Sequence, residues 1–87
     1  MTIINFKVND NGKIMNVSYD NGITCEQFMR DFTKKLGYES IDPDVYTFKV
    51  GAKLLNMPLY KSKQLKDLIT DEQIVNFRRK KNMNYSN

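Results

Sequence analysis

The sequence predicts an α+β domain in which a mixed sheet of four to five strands packs on one helix. Three observations carry this. Four short stretches alternate apolar and polar residues, the period of a half-buried strand. One longer stretch carries apolar residues at helical spacing, opened by a capping signal and closed by a glycine. The order strand, strand, helix, strand, strand, strand fits within 87 residues, the size of one domain with one core.

Ile4, Phe6 and Val8 alternate with Asn5 and Lys7, so the first strand sets one face on a core. Asn9-Asp10-Asn11-Gly12 is a turn signal, because asparagine and glycine accept positive φ. Met15, Val17 and Tyr19 alternate with Asn16 and Ser18, which completes a hairpin, and Asp20-Asn21-Gly22 ends it. Thr24 and Gln27 form a Thr-x-x-Gln capping box. Cys25, Phe28, Met29, Phe32 and Leu36 then make one apolar stripe. Asp31 and Lys35 sit four apart on the wet side. Lys34 and Lys35 suit the negative end of the helix dipole, and Gly37 is the stop. The helix is expected over residues 24–36.

Pro43 keeps Asp42 out of helical geometry, so Ile41-Asp42-Pro43-Asp44 is an extended or turning connection. Tyr46, Phe48 and Val50 alternate with Thr47 and Lys49 as the third strand. Gly51-Ala52-Lys53 turns into a short strand at Leu54-Leu55. Asn56 to Gln64, with Pro58, reads as a loop, and Leu65, Leu68 and Ile69 as a short apolar turn. Val75 and Phe77 with Asn76 and Arg78 make the last strand. Residues 1–81 are expected to form the domain and 82–87 a loose tail.

Composition excludes much chemistry. Hydrophobic residues at 40% and charged residues at 28% fit a globular domain rather than a disordered one. No apolar run is long enough to span a membrane, and Met1-Thr2-Ile3-Ile4-Asn5 lacks the order of a signal peptide. Cys25 stands alone, so no internal disulfide forms and a reducing compartment, cytoplasm or nucleus, is expected. Histidine is absent, which removes the commonest general base and the commonest metal ligand. One cysteine without histidine excludes a zinc site. Cys25 falls in the first helical turn, where a dipole can activate a thiol, but it lies on the apolar stripe and reads as core. Asp42, Asp44, Asp71 and Glu72 fall in turns and read as turn-formers. No enzyme activity and no cofactor are expected. The net charge of +4 favours acidic partners.

The residues also carry a family pattern. Asp42-Pro43-Asp44, then Phe48-Lys49-Val50-Gly51-Ala52-Lys53-Leu54-Leu55, then Leu65-Lys66-Asp67-Leu68-Ile69, then Val75-Asn76-Phe77-Arg78 resembles the second half of ubiquitin. The glycine turn of the hairpin, Lys13 after it and Thr24 opening the helix agree with the first half. The resemblance runs over about residues 3–81, with a few extra residues at Asn56–Gln64. It implies a ubiquitin-like β-grasp fold.

It also implies what this chain lacks. Ubiquitin conjugation needs a C-terminal glycine pair on a flexible tail, and no glycine follows Gly51 here. A non-conjugating type is therefore expected. Ubiquitin's receptors grip an apolar patch on the outer sheet face, and by alignment two of its positions are Lys49 and Arg78. Charge there replaces apolar burial, worth about 25 cal/mol per Å², with a desolvation cost. Lys53 aligns with the ubiquitin lysine most used for chain building and reads here as a turn residue.

If Phe6, Val8, Phe48, Val50, Val75 and Phe77 face the helix, then Lys7, Lys49, Arg78 and Lys80 face water. The β-grasp places the last strand between the first and third, so Lys7 and Lys49 are expected to flank Arg78 and Lys80 in one basic surface. A solvated face and a docking surface for an acidic protein both fit. Like charges side by side on a sheet cost stability, which favours docking. The expectation is a monomeric, membrane-free adaptor for protein–protein interaction. Family analogy adds proteasome or segregase docking and splicing-factor assembly.

Three alternatives stay open: a Ras-association type domain meeting an acidic GTPase edge, a nucleic-acid-binding module, and the ubiquitin-fold component of type VII secretion. Against the second, alternation turns Phe6, Phe48 and Phe77 inward, away from any stacking surface. Arg78-Arg79-Lys80-Lys81 also fits a nuclear localisation signal or a phosphate-binding stripe. Leu54, Met57 and Leu59 form a second, apolar candidate contact.

Overall fold

A computed structural model describes residues 2–37, 45–71 and 73–79. The elements are β1 (Ile3–Asp10), β2 (Lys13–Asp20), α1 (Cys25–Lys35), β3 (Tyr46–Val50), β4 (Lys53–Leu54), α2 (Pro58–Lys61), α3 (Leu65–Leu68) and β5 (Ile74–Arg79). The strands form one sheet in the order β2-β1-β5-β3-β4. β5 runs parallel to β1 and antiparallel to β3, and both hairpins, β1–β2 and β3–β4, are antiparallel.

Local chemistry sets the hairpin and the helix. The β1–β2 turn is Asn11-Gly12, with φ of 53° and 94°, as a two-residue turn matched to strand twist requires. Gly12 N–H donates to Asn9 Oδ1 at 2.8 Å and ties the turn to β1. At the helix start, Thr24 Oγ1 accepts the Gln27 N–H and Gln27 Oε1 accepts the Thr24 N–H, each at 3.1 Å. Two donors that the first turn would otherwise leave bare are thereby satisfied. Thr24 is the cap rather than the first helical residue, so the helix is one residue shorter at each end than expected.

Alternation and stripe meet in one core. Phe6, Val8, Phe48, Val50, Val75 and Phe77 are buried on one face of the sheet, against Phe28, Met29 and Phe32 of α1. Phe28 stands edge-on to Phe6 and Phe48 at 5.3 and 5.7 Å, and Phe32 edge-on to Phe77 at 5.6 Å. Such pairs contribute about 0.5–1.5 kcal/mol beyond their area. Cys25 is fully buried in this cluster.

The segment read as a loop is more ordered than expected. Pro58 opens α2 at its first turn, where its missing N–H costs nothing. The apolar turn at Leu65–Leu68 is a helical turn, with Leu65 and Ile69 buried. Asn56 is 2% exposed, and its Oδ1 accepts the Phe48 N–H at 2.9 Å. β4 is only two residues long, so this side chain satisfies a β3 donor that a longer edge strand would have covered. The connection at 41–44, Glu72, Lys80 and the tail at 82–87 lie outside the described residues.

Candidate functional site

The sheet face away from α1 is assembled from alternate residues of four strands. β1 contributes Lys7 and Asn9, β5 contributes Ile74, Asn76 and Arg78, β3 contributes Lys49 and β4 Leu54. Lys49 and Arg78 are exposed and Lys7 is half-buried. This is the side expected for all three; Lys80 falls outside the described residues.

The rows differ from the expected arrangement. Lys7 stands beside Ile74, Lys49 beside Asn76, and Arg78 beside Thr47. Lys7 and Lys49 therefore flank β5 below Arg78 and do not bracket it. Alternation decides which face a side chain takes, but only the register decides its row. Lys49 and Arg78 are diagonal neighbours, a relation that spans about 7–8 Å on a sheet. Lys7 lies across β5 from Lys49, and four residues along β5 part its partner Ile74 from Arg78. Between the cations, Asn9 Nδ2 donates to Asn76 Oδ1 at 3.1 Å. The centre of the face is thus an uncharged amide pair, with its positive charge toward β3 and the end of β5.

Ile74, Asn76 and Asn9 were not expected in the site, although their parity with Arg78 and Lys7 places them on this face; Asn9, read as part of the turn, belongs to β1. Ile74 is 43% exposed, and Leu54 beside Lys49 is half-buried. Some apolar surface therefore survives at the margin. Beyond Asn76 the face opens into a cleft of about 520 Å³ between the hairpin turn and the end of β5. Asn11, Gly12, Arg78 and Arg79 are among its lining residues. Met57 and Leu59, expected to be partly exposed, are 47% and 66% exposed.

Cys25 is not an activated nucleophile. Burial pushes the Cys25 thiol up to about 11, and the nearby Asp67 charge adds to the shift. Among the described residues, no group of three histidine, cysteine or acidic side chains stands ready to hold a metal ion. A connected polar cluster lies at the opposite side of the sheet. There Tyr19 Oη donates to Asp31 Oδ2 at 2.7 Å, and Lys35 Nζ reaches the same oxygen at 3.1 Å. It joins β2 to α1 and is structural.

No family model and no curated protein matches the sequence. Solved structures do. The ubiquitin-like domain of an Arabidopsis thaliana protein superposes with a TM-score of 0.72 at 14% identity, covering 100% of this chain and 87% of that one. The UBL domain of yeast Ddi1 gives 0.72 at 12% identity, covering 93% of each chain. The fold is ubiquitin-like. A chain in a pParkin–pUb–UbcH7 complex gives 0.70 at 12% identity over 90% of this chain, which spans 23% of that longer one. At these identities the likeness extends to the ubiquitin-like fold alone. What the chain does has to be argued from its own surface.

Proposed function

We propose that the chain is a non-catalytic ubiquitin-like interaction module that binds an acidic protein surface without becoming conjugated. Lys49 and Arg78 form the centre of the contact, with Lys7 at its margin; Lys80, the fourth cation expected to take part, follows them in sequence. One observation carries this reading. Lys49 and Arg78 are both exposed, lie diagonally on adjacent strands, and among the described residues neither takes part in an ion pair. Two unneutralised cations held that close on a rigid sheet complement a pair of carboxylates. The absence of histidine and the buried thiol support a binding role over a catalytic one. A lone thiol suits a cytoplasmic or nuclear setting, where a ubiquitin–proteasome adaptor would act.

The test is affinity capture with mass spectrometry, native protein against Lys49→Glu/Arg78→Glu, followed by calorimetry on a purified captured partner. The partner is expected to be lost from the variant, and its affinity for native protein to fall with salt, as exposed charge pairs do. Equal capture by both proteins overturns the assignment of the face. Capture abolished by nuclease would transfer it to nucleic acid. Thioester formation with a ubiquitin-activating enzyme would overturn the non-covalent reading.

A further inference from the structure

Among the described residues, one edge of the sheet is long and uncovered. β4 closes the other edge with two residues, whereas β2 runs eight, from Lys13 to Asp20. Lys7 N–H donates to the Gln73 carbonyl at 2.9 Å, toward β5. Lys7 and its neighbour Asn16 are therefore a pair that exchanges no hydrogen bonds between β1 and β2. The same alternation turns the N–H and C=O of Ile14, Asn16 and Ser18 away from β1, to the open side. It stops at Asp20, whose carbonyl accepts the Ile23 N–H at 3.2 Å. Natural edges are blocked by proline, by bulges or by charge within the strand. From Ile14 to Tyr19 the sequence is Ile-Met-Asn-Val-Ser-Tyr, with no proline and no charge, and the register with β1 has no bulge. On the helix side Met15, Val17 and Tyr19 pack against the core but are only partly covered.

We propose that this edge pairs antiparallel with the same edge of a second copy, about a two-fold axis at Asn16. Two observations select a second copy. The strand is charged only at its ends, Lys13 at one and Asp20 at the other. Antiparallel pairing sets each Lys13 one residue from Asp20 of the other copy, across opposite faces of the sheet, a long-range attraction that parallel pairing does not give. In this register Asn16 meets its own counterpart and Ile14 meets Ser18, so every residue with bare backbone groups faces another with bare groups. Met15 then lies beside Val17 of the second copy, and the apolar side of the sheet continues across the junction. A strand edge buries less than the roughly 1,600 Å² of a standard interface, so the dimer is weak and forms at high concentration. This departs from the monomer expected from the sequence. It is independent of the cations on β3 and β5.

Sedimentation equilibrium and amide exchange by NMR, over a wide concentration range, test it. The mass is expected to rise from 10.2 kDa toward twice that value. The amides of Ile14, Asn16 and Ser18 should slow by about tenfold or more as concentration rises, since exchange follows opening. Asn16→Lys and Asn16→Asp, each at an exposed position, should keep the fold by circular dichroism and abolish association, because like charges meet on the axis. An equimolar mixture of the two should restore it, because the charges are then opposite. A mass fixed at 10.2 kDa overturns the proposal. So does amide exchange independent of concentration, a mixture no better than its components, or an edge that accepts only an unrelated peptide.

Discussion

Replacing Asn56 by alanine tests whether one buried amide completes the β3 edge. Asn56 Oδ1 accepts the Phe48 N–H at 2.9 Å, and both residues are closed to solvent. Alanine leaves that N–H without its acceptor where water does not enter. A buried donor without a partner costs about 1–3 kcal/mol. In a domain of this size 1 kcal/mol moves Tm by about 4–8 °C. A loss of about 2 kcal/mol therefore lowers Tm by about 8–16 °C. Thermal and urea melts by circular dichroism measure it. Met57→Ala is the control, because Met57 is next in sequence but 47% exposed and should stay within about 0.5 kcal/mol. If Asn56→Ala melts within the shift of Met57→Ala, the amide does not complete the edge and the reasoning fails.

Two further outcomes rest on titrating groups. The Tyr19 hydrogen bond, more than the Lys35 contacts, holds the Asp31 carboxyl below its usual value. Its contribution is therefore complete above the unfolded carboxylate pKa of about 4 and is lost as pH falls through the lower folded value. Tyr19→Phe should shrink the drop in urea midpoint between neutral and strongly acidic pH, and an unchanged drop counts against the assignment. The Cys25 thiol, fully buried and raised to about 11 by burial and the nearby Asp67 charge, should react with a thiol reagent at pH 8 far more slowly in the folded than in the urea-unfolded chain, because it is both less ionised and closed to the reagent. Equal rates would mean that Cys25 is not in the core.

Strand and helix identities were legible because each rests on local periodicity. Asn11-Gly12 specified the hairpin turn, and Thr24 with Gln27 specified the helix start. What escaped the sequence depends on non-local placement. The row offset that parts Lys7 from Arg78 follows from the β1–β5 register, which no local pattern encodes. Asn56 looked like a loop residue because asparagine usually faces water. Its burial follows from the shortness of β4, which leaves a β3 donor to satisfy. α2 escaped because four residues opened by Pro58 carry no helical period. The outer face was legible as a parity and illegible as a geometry.

The central position of β5 has a consequence for how the chain reaches this structure. β5 is the last of the described strands in sequence, yet it lies between β1 and β3 and contributes Val75 and Phe77 to the core. Until residues 74–79 emerge, β1 and β3 have no shared neighbour, and the aromatic cluster is open along its middle. The β1–β5 pairing joins Lys7 to Ile74, almost the full length of the domain. Contacts of that separation make folding slow. During synthesis the chain therefore holds an unfinished sheet with two open edges, β1 and β3, beyond the one at β2, and with bare phenylalanines, so this interval adds to its exposure to aggregation.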